Sequence, residues 1–350
     1  MKVLTCISKQ SKQKIQWLLL WVVGILVASC DTIYEDEGDC TTYFRVKFTY
    51  DMNMSFADAF AHNVKSVTLY IFNGEGKLVN TLSESGSVLT EDDYVMNLDI
   101  EPGTYTLVAW AEGWETGSTF TYPIMQPNVH SLHDLTCRMN REYDENNAAY
   151  IDNDLTPLFH GIAQNIELEE LLDGGEQIIP VNLTKNTHNV RVMLQHLSGE
   201  DIHADDFTYT ITDVNGYMDY DNSLIGDEQL TYRAWATYEG TASLNTPDDT
   251  RDAQTSVSIA IAELTTGRLM TDQEPILTVR NQKGETVLSI PLIDYALLIK
   301  GYYNQDLSDQ EYLDRQDEYN LTFFLDENNH WMSSSIIINS WRVVLQEAGL

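Results

Sequence analysis

The chain is expected to be all-β, folding as two β-sandwiches in tandem with one short helix in the second. Three observations predict this. Apolar and polar residues alternate with period two in one stretch after another. Turn-forming clusters of Gly, Asn, Asp and Pro interrupt those stretches every ~8–12 residues, the usual spacing of sandwich strands. About 320 of the 350 residues follow Cys30, enough for two domains of ordinary size.

The first 29 residues stand apart from this pattern. Lys2, Lys9, Lys12 and Lys14 form a basic start, and no acidic residue precedes Cys30. Trp17 to Val27 is an apolar run of 11 residues broken only by Gly24. A bilayer span needs ~20 apolar residues, so this run has the proportions of a signal-peptide core instead. Ala28 and Ser29 put small residues directly before Cys30, as in a bacterial lipoprotein signal, where the thiol is lipidated and the chain is cut before it. An ordinary secretory signal with an incidental cysteine is the alternative. Residues 30–39, Cys30 to Asp39, are acidic and poor in core formers, and read as a leash reaching roughly 33 Å at most.

The first sandwich is expected over residues 40–185. Tyr43–Tyr50 sets Phe44, Val46 and Phe48 on one face and Arg45, Lys47 and Thr49 on the other. Val64–Phe72 is a second strand, and Asn73-Gly-Glu-Gly76 turns it into Lys77–Val79, because Asn and Gly supply the positive φ of a tight turn. Tyr94–Ile100 alternates again. Glu101-Pro-Gly103 turns the chain into Thr104–Trp110, apolar enough to be a central strand. Asn140–Asp154 reads as a polar, acidic loop. Leu158–Gly161 and Gln177–Leu183 read as strands separated by a weak helix or turn over Glu167–Leu172.

The second sandwich is expected over residues 186–350. Its strands are His188–Gln195, Phe207–Thr212, Tyr232–Tyr238, Ser256–Leu264, Ile276–Arg280, Thr286–Ile290, Tyr319–Leu325 and Ser335–Leu345. Pro291–Ile299 fits either a strand or a buried helix. Ser308-Asp-Gln-Glu311 is a capping box and starts a short helix running to about Asp317.

Charge narrows the function. The chain holds 54 acidic and 20 basic residues, a net −34, and four of its lysines lie before Cys30. Nothing on such a surface neutralises phosphates, so nucleic acid is not an expected partner, and attachment to anionic lipid must come from the acyl chains. Of the four cysteines, Cys6 leaves with the signal and Cys30 takes lipid. Cys40 and Cys137 remain, and in an exported chain a disulfide is the leading reading, with two buried free thiols as the alternative. Its loop of about a hundred residues would be worth ~4–5 kcal/mol in the chain-entropy model.

No strong catalytic signature is present, and the chain is not expected to be an enzyme. His130, His133 and Cys137 are spaced to share a metal but lack an evident fourth ligand. Asp213-x-Asn215-Gly216, with Asp219 and Asp221, resembles a calcium loop, yet its glycine comes two residues early and no closing Glu follows. A turn with solvated acids explains it, and no metal is assigned. Carboxylate pairs arise by chance in so acidic a chain. The tyrosines fall at strand positions, with a carbohydrate-binding aromatic surface as the competing reading.

Several stretches together resemble one family, the lipoprotein anchor subunits of Bacteroidales type V fimbriae (the minor fimbrillin, FimB-like family). They are Cys30-Asp-Thr-Ile-Tyr-Glu-Asp followed by Cys40, Leu69–Gly76, Pro102–Trp110, Leu158–Gly161, Leu183–Val192, Asp219–Asn222, Tyr312–Asn320 and Ile336–Trp341. Their order covers nearly all of the chain after Cys30. The resemblance implies two transthyretin-like sandwiches and display on the outer membrane at the base of a fimbrium. It implies no cofactor beyond the diacylglycerol and N-acyl lipid of Cys30. The implied partners are a major fimbrillin stalk subunit, joined by strand donation, and other minor fimbrillins. It also implies the Cys40–Cys137 pairing. Stalk subunits of the group lose a pro-segment at an Arg. Here the first Arg after Cys30 is Arg45, inside a strand, so the chain is expected to stay uncleaved and to terminate the polymer. A glycan- or protein-binding surface adhesin or tip subunit is the competing reading.

Overall fold

The computed structural model describes residues 41–91, 93–172, 174–244, 255–301 and 304–344. The export signal, Cys30, the leash and Cys40 lie outside the described residues. Period-two alternation becomes strand almost wherever it occurs. β1 (Thr42–Met52) is followed by the short helix α1 (Phe60–Asn63), the hairpin β2 (Ser66–Asn73) and β3 (Leu78–Ser85), then β4 (Met96–Leu98) and β5 (Gly103–Glu112). Four short strands come next, β6 (Phe120–Thr121), β7 (Thr136–Met139), β8 (Glu142–Tyr143) and β9 (Ala149–Ile151). The long pair β10 (Leu158–Leu168) and β11 (Gly175–Lys185) leads into β12 (Thr187–His196). β13 (Phe207–Asp213), β14 (Tyr217–Asp219), β15 (Leu230–Arg233), β16 (Ala236–Leu244) and β17 (Thr255–Gly267) follow. After β18 (Ile276–Asn281) and β19 (Thr286–Pro291) come the helices α2 (Leu292–Leu297) and α3 (Asp309–Arg315). β20 (Glu318–Leu325), β21 (Trp331–Ile338) and β22 (Trp341–Val344) are the last of the described strands.

Among the described residues these strands make four sheets. One has seven strands in the order β3-β2-β5-β10-β11-β1-β4, and two have six, β16-β17-β12-β20-β21-β22 and β19-β18-β13-β15-β9-β8. A three-stranded sheet, β14-β7-β6, completes the set. The protein is all-β, as the alternation predicts. Two compact units divide the chain, Met1–Tyr43 with Glu170–Gln177, and Phe44–Glu169 with Ile178–Leu350. Within the first, Gly175 N–H donates to the Thr41 carbonyl at 3.2 Å and Leu171 N–H to Thr42 Oγ1 at 2.8 Å. The strands of all four sheets lie largely in the second.

Three strands of the seven-stranded sheet form a wall shared by two cores. In β2, Val67, Leu69 and Ile71 enter one core while Tyr70 and Phe72 enter the other. In β5, Leu107, Ala109 and Ala111 face one way and Val108 and Trp110 the other. Phe159 and Leu158 of β10 divide likewise. Burial on both faces is why Thr104–Trp110 reads as a near-continuous apolar run.

Three segments depart from the sequence expectation and one that it left open is resolved, each for a local reason. Asn140–Asp154 is not a plain loop: it holds β8 and β9, and β9 pairs in parallel with β15, with Ala149 and Ile151 buried. Residues 120–151 thus add strands to sheets otherwise built after residue 186. Glu167–Leu172 begins as the end of β10, which carries the strand to Leu168 across a register shift between Ala163 and Ile166. Pro291–Ile299 resolves as α2, with Leu292, Ile293 and Ala296 buried on one helical face. Ser335–Leu345 is a hairpin rather than one strand, because Asn339 and Ser340 both take positive φ, 45° and 72°. The α3 start is as expected: Ser308 Oγ accepts from Glu311 N–H at 3.0 Å. The Glu311 carboxylate turns instead to Arg315, at 2.9 Å.

Candidate assembly site

Two features built by the sequence bear on function, a strand seated in a groove and a buried polar junction. The strand is β1. It lies between β11 and β4, pairing Phe44 with Leu98 and Arg45 with Asn97. Phe44, Val46, Phe48 and Tyr50 are each at most 4% exposed. Phe48 stacks on Phe60 at 5.7 Å and on Tyr94 at 6.5 Å, and Tyr50 meets Phe159 edge-on at 5.0 Å. Burying a side chain of this size is worth ~1.5–3 kcal/mol, so β1 holds this groove strongly. The two edge strands of the same sheet, β3 and β4, line a common cleft of about 420 Å³ with Glu84, Glu91 and Asp93 on its rim.

The junction gathers side chains from β10, the link between β11 and β12, the turn after β14, the segment after β17, and α3. His160 of β10 hydrogen-bonds through Nε2 to the Tyr220 carbonyl at 2.8 Å, its ring edge-on to Trp110 at 4.6 Å. Asn186 and Asn222 exchange amide hydrogen bonds at 2.5 and 3.1 Å. Arg268 donates to the Asn222 carbonyl at 3.0 Å and grips Asp314 with two bonds of 2.8 and 2.7 Å. Gln310 adds a donor to Asp314 at 3.0 Å. His188 spans the carbonyls of Leu313 and Gly267, and Lys185 pairs with Asp317 at 2.5 Å. Five of the stretches that carry the family resemblance converge here, those containing Trp110, His160, Asn186, Asn222 and Asp314. Sequence order conceals this meeting, since His160 and Asp314 are 154 positions apart.

A second fastening holds the excursion of residues 120–151. Arg141 and Asp227, each 4% exposed, pair at 2.7 Å, and Arg141 also donates to the Gly216 carbonyl at 3.1 Å. Arg141 also meets Glu228 at 3.1 Å, so one buried cation serves two carboxylates.

Burial lowers the His160 pKa to about 4, against a small opposing effect of the Tyr220 carbonyl. The folded state therefore binds fewer protons than the unfolded chain between about 6.5 and 4. Stability from this group is present above pH 6.5 and is lost as pH falls through that window, on the order of 3 kcal/mol in all. Asp213 has the opposite sign: burial raises its carboxyl to about 6, so its contribution is lost as pH rises toward 6. Between pH 7 and pH 4 the two contributions oppose each other, so urea unfolding of the parent is expected to vary little on their account, whereas His160→Gln should lower stability at pH 7 and leave the Asp213 contribution, so that stability rises as pH falls toward 4.

The metal candidates are not brought together. His130 Nδ1 accepts from the Gln126 amide at 2.9 Å, and His133 packs edge-on against Tyr220 at 5.1 Å. Cys137 is buried in β7 as a free thiol whose pKa burial pushes up. The calcium-like stretch is likewise dispersed. Asn215 Oδ1 accepts from Tyr232 Oη at 2.5 Å and Asp221 Oδ1 from Ser223 Oγ at 2.6 Å. Among the described residues no group of three His, Cys, Asp or Glu side chains is placed to hold a metal.

A single fold class unites these features with known structures. A protein of Bacteroides thetaiotaomicron, described as a proposed polysaccharide-binding protein, is 31% identical with a TM-score of 0.73, covering 87% of this chain and 99% of its own. A proposed adhesin of the same organism is 32% identical with a TM-score of 0.75, covering 87% and 97%. The fimbrial anchor protein Mfa2 of Porphyromonas gingivalis shares the fold at 17% identity and a TM-score of 0.62, covering 88% and 100%. No curated protein sequence matches. The class is thus that of multi-sheet β-sandwich proteins of the bacterial surface. Residues 36–347 match the family model of the fimbrillin-A associated anchor proteins Mfa1 and Mfa2, and the chain belongs to that family. It is a family of fimbrial, anchoring proteins rather than of catalysts.

Proposed function

We propose that this chain is the lipid-tethered anchor of a cell-surface fimbrium, holding the stalk to the outer membrane through acylated Cys30 and ending its growth. The observation that carries the reading is β1 in its groove. A groove already filled by the chain's own strand has no room for a donor strand. Arg45, the first arginine after Cys30, sits within that strand and is register-paired to Asn97, so a protease would have to extract β1 to reach it. Family membership supports the fimbrial partner, and the stalk's major fimbrillin is the subunit to be held.

Cys30→Ala is expected to release the protein from the membrane and to shed fimbriae, or leave them loosely held, in the culture medium. Fimbriae that stay cell-bound at normal length in the variant would refute anchoring through Cys30. Intact mass of the protein from cells should show acylated Cys30 with no cleavage at Arg45. The Cys40–Cys137 bridge is also part of the proposal, and it requires Cys40 to reach a thiol that is free and buried here. A linked peptide in a non-reducing map supports the bridge, and alkylation of Cys137 on unfolding without reductant overturns it.

The adhesin reading keeps a place beside the anchor. It is favoured by relatives of 31% and 32% identity described as a proposed polysaccharide-binding protein and a proposed adhesin. The two roles are compatible in one surface protein.

A further inference from the structure

The outward face of the sheet containing β12, β17 and β20 carries two lateral rows of hydrogen-bonding side chains. Register sets Glu263, Arg191 and Asn320 side by side, and two residues along it does the same for Thr265, Asn189 and Glu318. Neighbouring members of a row stand ~4.8 Å apart. The inward positions between them, Val190, Leu264 and Tyr319, are buried and fix the rows from beneath.

These side chains are held in place by one another. Arg191 Nε donates to Glu263 Oε1 at 2.7 Å and its guanidinium reaches Asn320 Oδ1 at 3.4 Å. Tyr238 Oη donates to the same Glu263 oxygen at 2.6 Å, and Thr265 Oγ1 donates to Asp154 at 2.6 Å. A cleft of about 260 Å³ opens over the rows, with Trp235 on its margin. Trp235 is 41% exposed, although its backbone N–H is tied to the Glu263 carbonyl at 3.0 Å. An exposed indole on a fixed backbone beside ordered polar side chains offers an apolar plate next to paired donors and acceptors.

We propose that this cleft is a subsite for a neutral saccharide. The C–H face of a pyranose ring lies on Trp235, while its hydroxyls meet Arg191, Asn320, Asn189 and Glu263. The charge selects a neutral ring: three carboxylates, of Asp154, Glu263 and Glu318, face one guanidinium that Glu263 already engages. A peptide added as a strand is excluded, because β12, β17 and β20 each have a neighbour on both sides and offer no free edge. The volume is just below the roughly 300 Å³ at which pockets for drug-sized ligands begin, which limits occupancy to about one or two rings.

The proposal deepens the adhesin reading and is independent of the anchor. The full chain in detergent is titrated with galactose, glucose, mannose and N-acetylglucosamine, with N-acetylneuraminic acid as the anionic counterpart. Saturation-transfer NMR and the indole signal of Trp235 report binding. At least one neutral sugar should bind in the millimolar range and shift Trp235. Trp235→Ala and Arg191→Ala should each weaken it about ten-fold, a loss of ~1.4 kcal/mol. Trp235→Phe, which keeps an aromatic plate, should fall between, and Trp114→Ala, at a distant exposed indole, should change nothing. Variants are compared at matched thermal stability. Sugar binding that ignores Trp235 and Arg191 overturns the subsite but leaves the adhesin reading standing. Preference for N-acetylneuraminic acid overturns the neutral assignment. Absence of any sugar binding up to about 50 mM overturns the subsite and removes saccharides from the adhesin reading together.

Discussion

Replacing Phe48 by alanine is expected to destabilise the protein by about 3–5 kcal/mol, the cost of truncating a buried aromatic. Phe48 is 1% exposed and stacks on both Phe60 and Tyr94, whose rings also stack on each other at 6.1 Å. Three elements, β1, α1 and the segment before β4, therefore lose a common partner, and the cavity cannot close by shifting one of them. Thr49→Ala, on the opposite face, loses one weak hydrogen bond to Asn182 at 3.4 Å and should stay within about 0.5 kcal/mol. Urea unfolding of both variants measures the contrast. A small effect at Phe48 would mean that β1 contributes little to its sheet, and the filled groove would lose its energetic basis. In cells, a loosened β1 should become sensitive to arginine-specific proteolysis at Arg45, which the parent resists.

Removal of Arg268 should be comparably severe. Arg268 and Asp314 are 13% and 10% exposed, and Arg268→Ala leaves a carboxylate in the junction without its cation, at a cost of about 3–5 kcal/mol. Removing both partners should cost less than removing Arg268 alone, since no uncompensated charge then remains. A double variant as unstable as the sum of the two single variants would show that the pair matters for packing rather than charge. Thermal unfolding of the three variants distinguishes these outcomes.

Much of the fold was legible because its strands are long. Phe44, Val46 and Phe48 alternate cleanly, and Asn73 marks its turn chemically: its side chain accepts from the Glu75 and Lys77 amides at 3.1 and 3.0 Å. β8 and β9 were illegible, with two and three residues each, because period two needs more residues than that to declare itself. The parallel pairing of β9 with β15 is a long-range choice that no local pattern encodes. Helix α2 was ambiguous for a different reason. A short apolar run looks the same whether it is a buried helix or a buried strand.

The functional features divide in the same way. The proposed lipid site at Cys30 rests on its own flanks, and the place of Arg45 in a strand on the alternation around it. The junction and the proposed saccharide cleft are properties of register. Arg191 could be placed on the outer face of its strand from sequence, but its neighbours Glu263 and Asn320 come from β17 and β20, one antiparallel to it and one parallel. The shared chemistry of the quoted stretches around His160, Asn186, Asn222 and Asp314 was visible only as resemblance.

The wall of β2, β5 and β10 has a consequence for how the molecule comes apart. Adjacent residues such as Leu107 and Val108 belong to different cores, so peeling either core away strips one face of the same three strands. Melting should therefore be a single cooperative transition, with calorimetric and van't Hoff enthalpies in agreement. A fragment ending at residue 185 would present Tyr70, Phe72, Val108, Trp110 and Leu158 to water, a sticky face rather than a finished domain. In the proposed anchoring role, with load applied between the lipid and the stalk, this joint ownership leaves no weaker half to yield first.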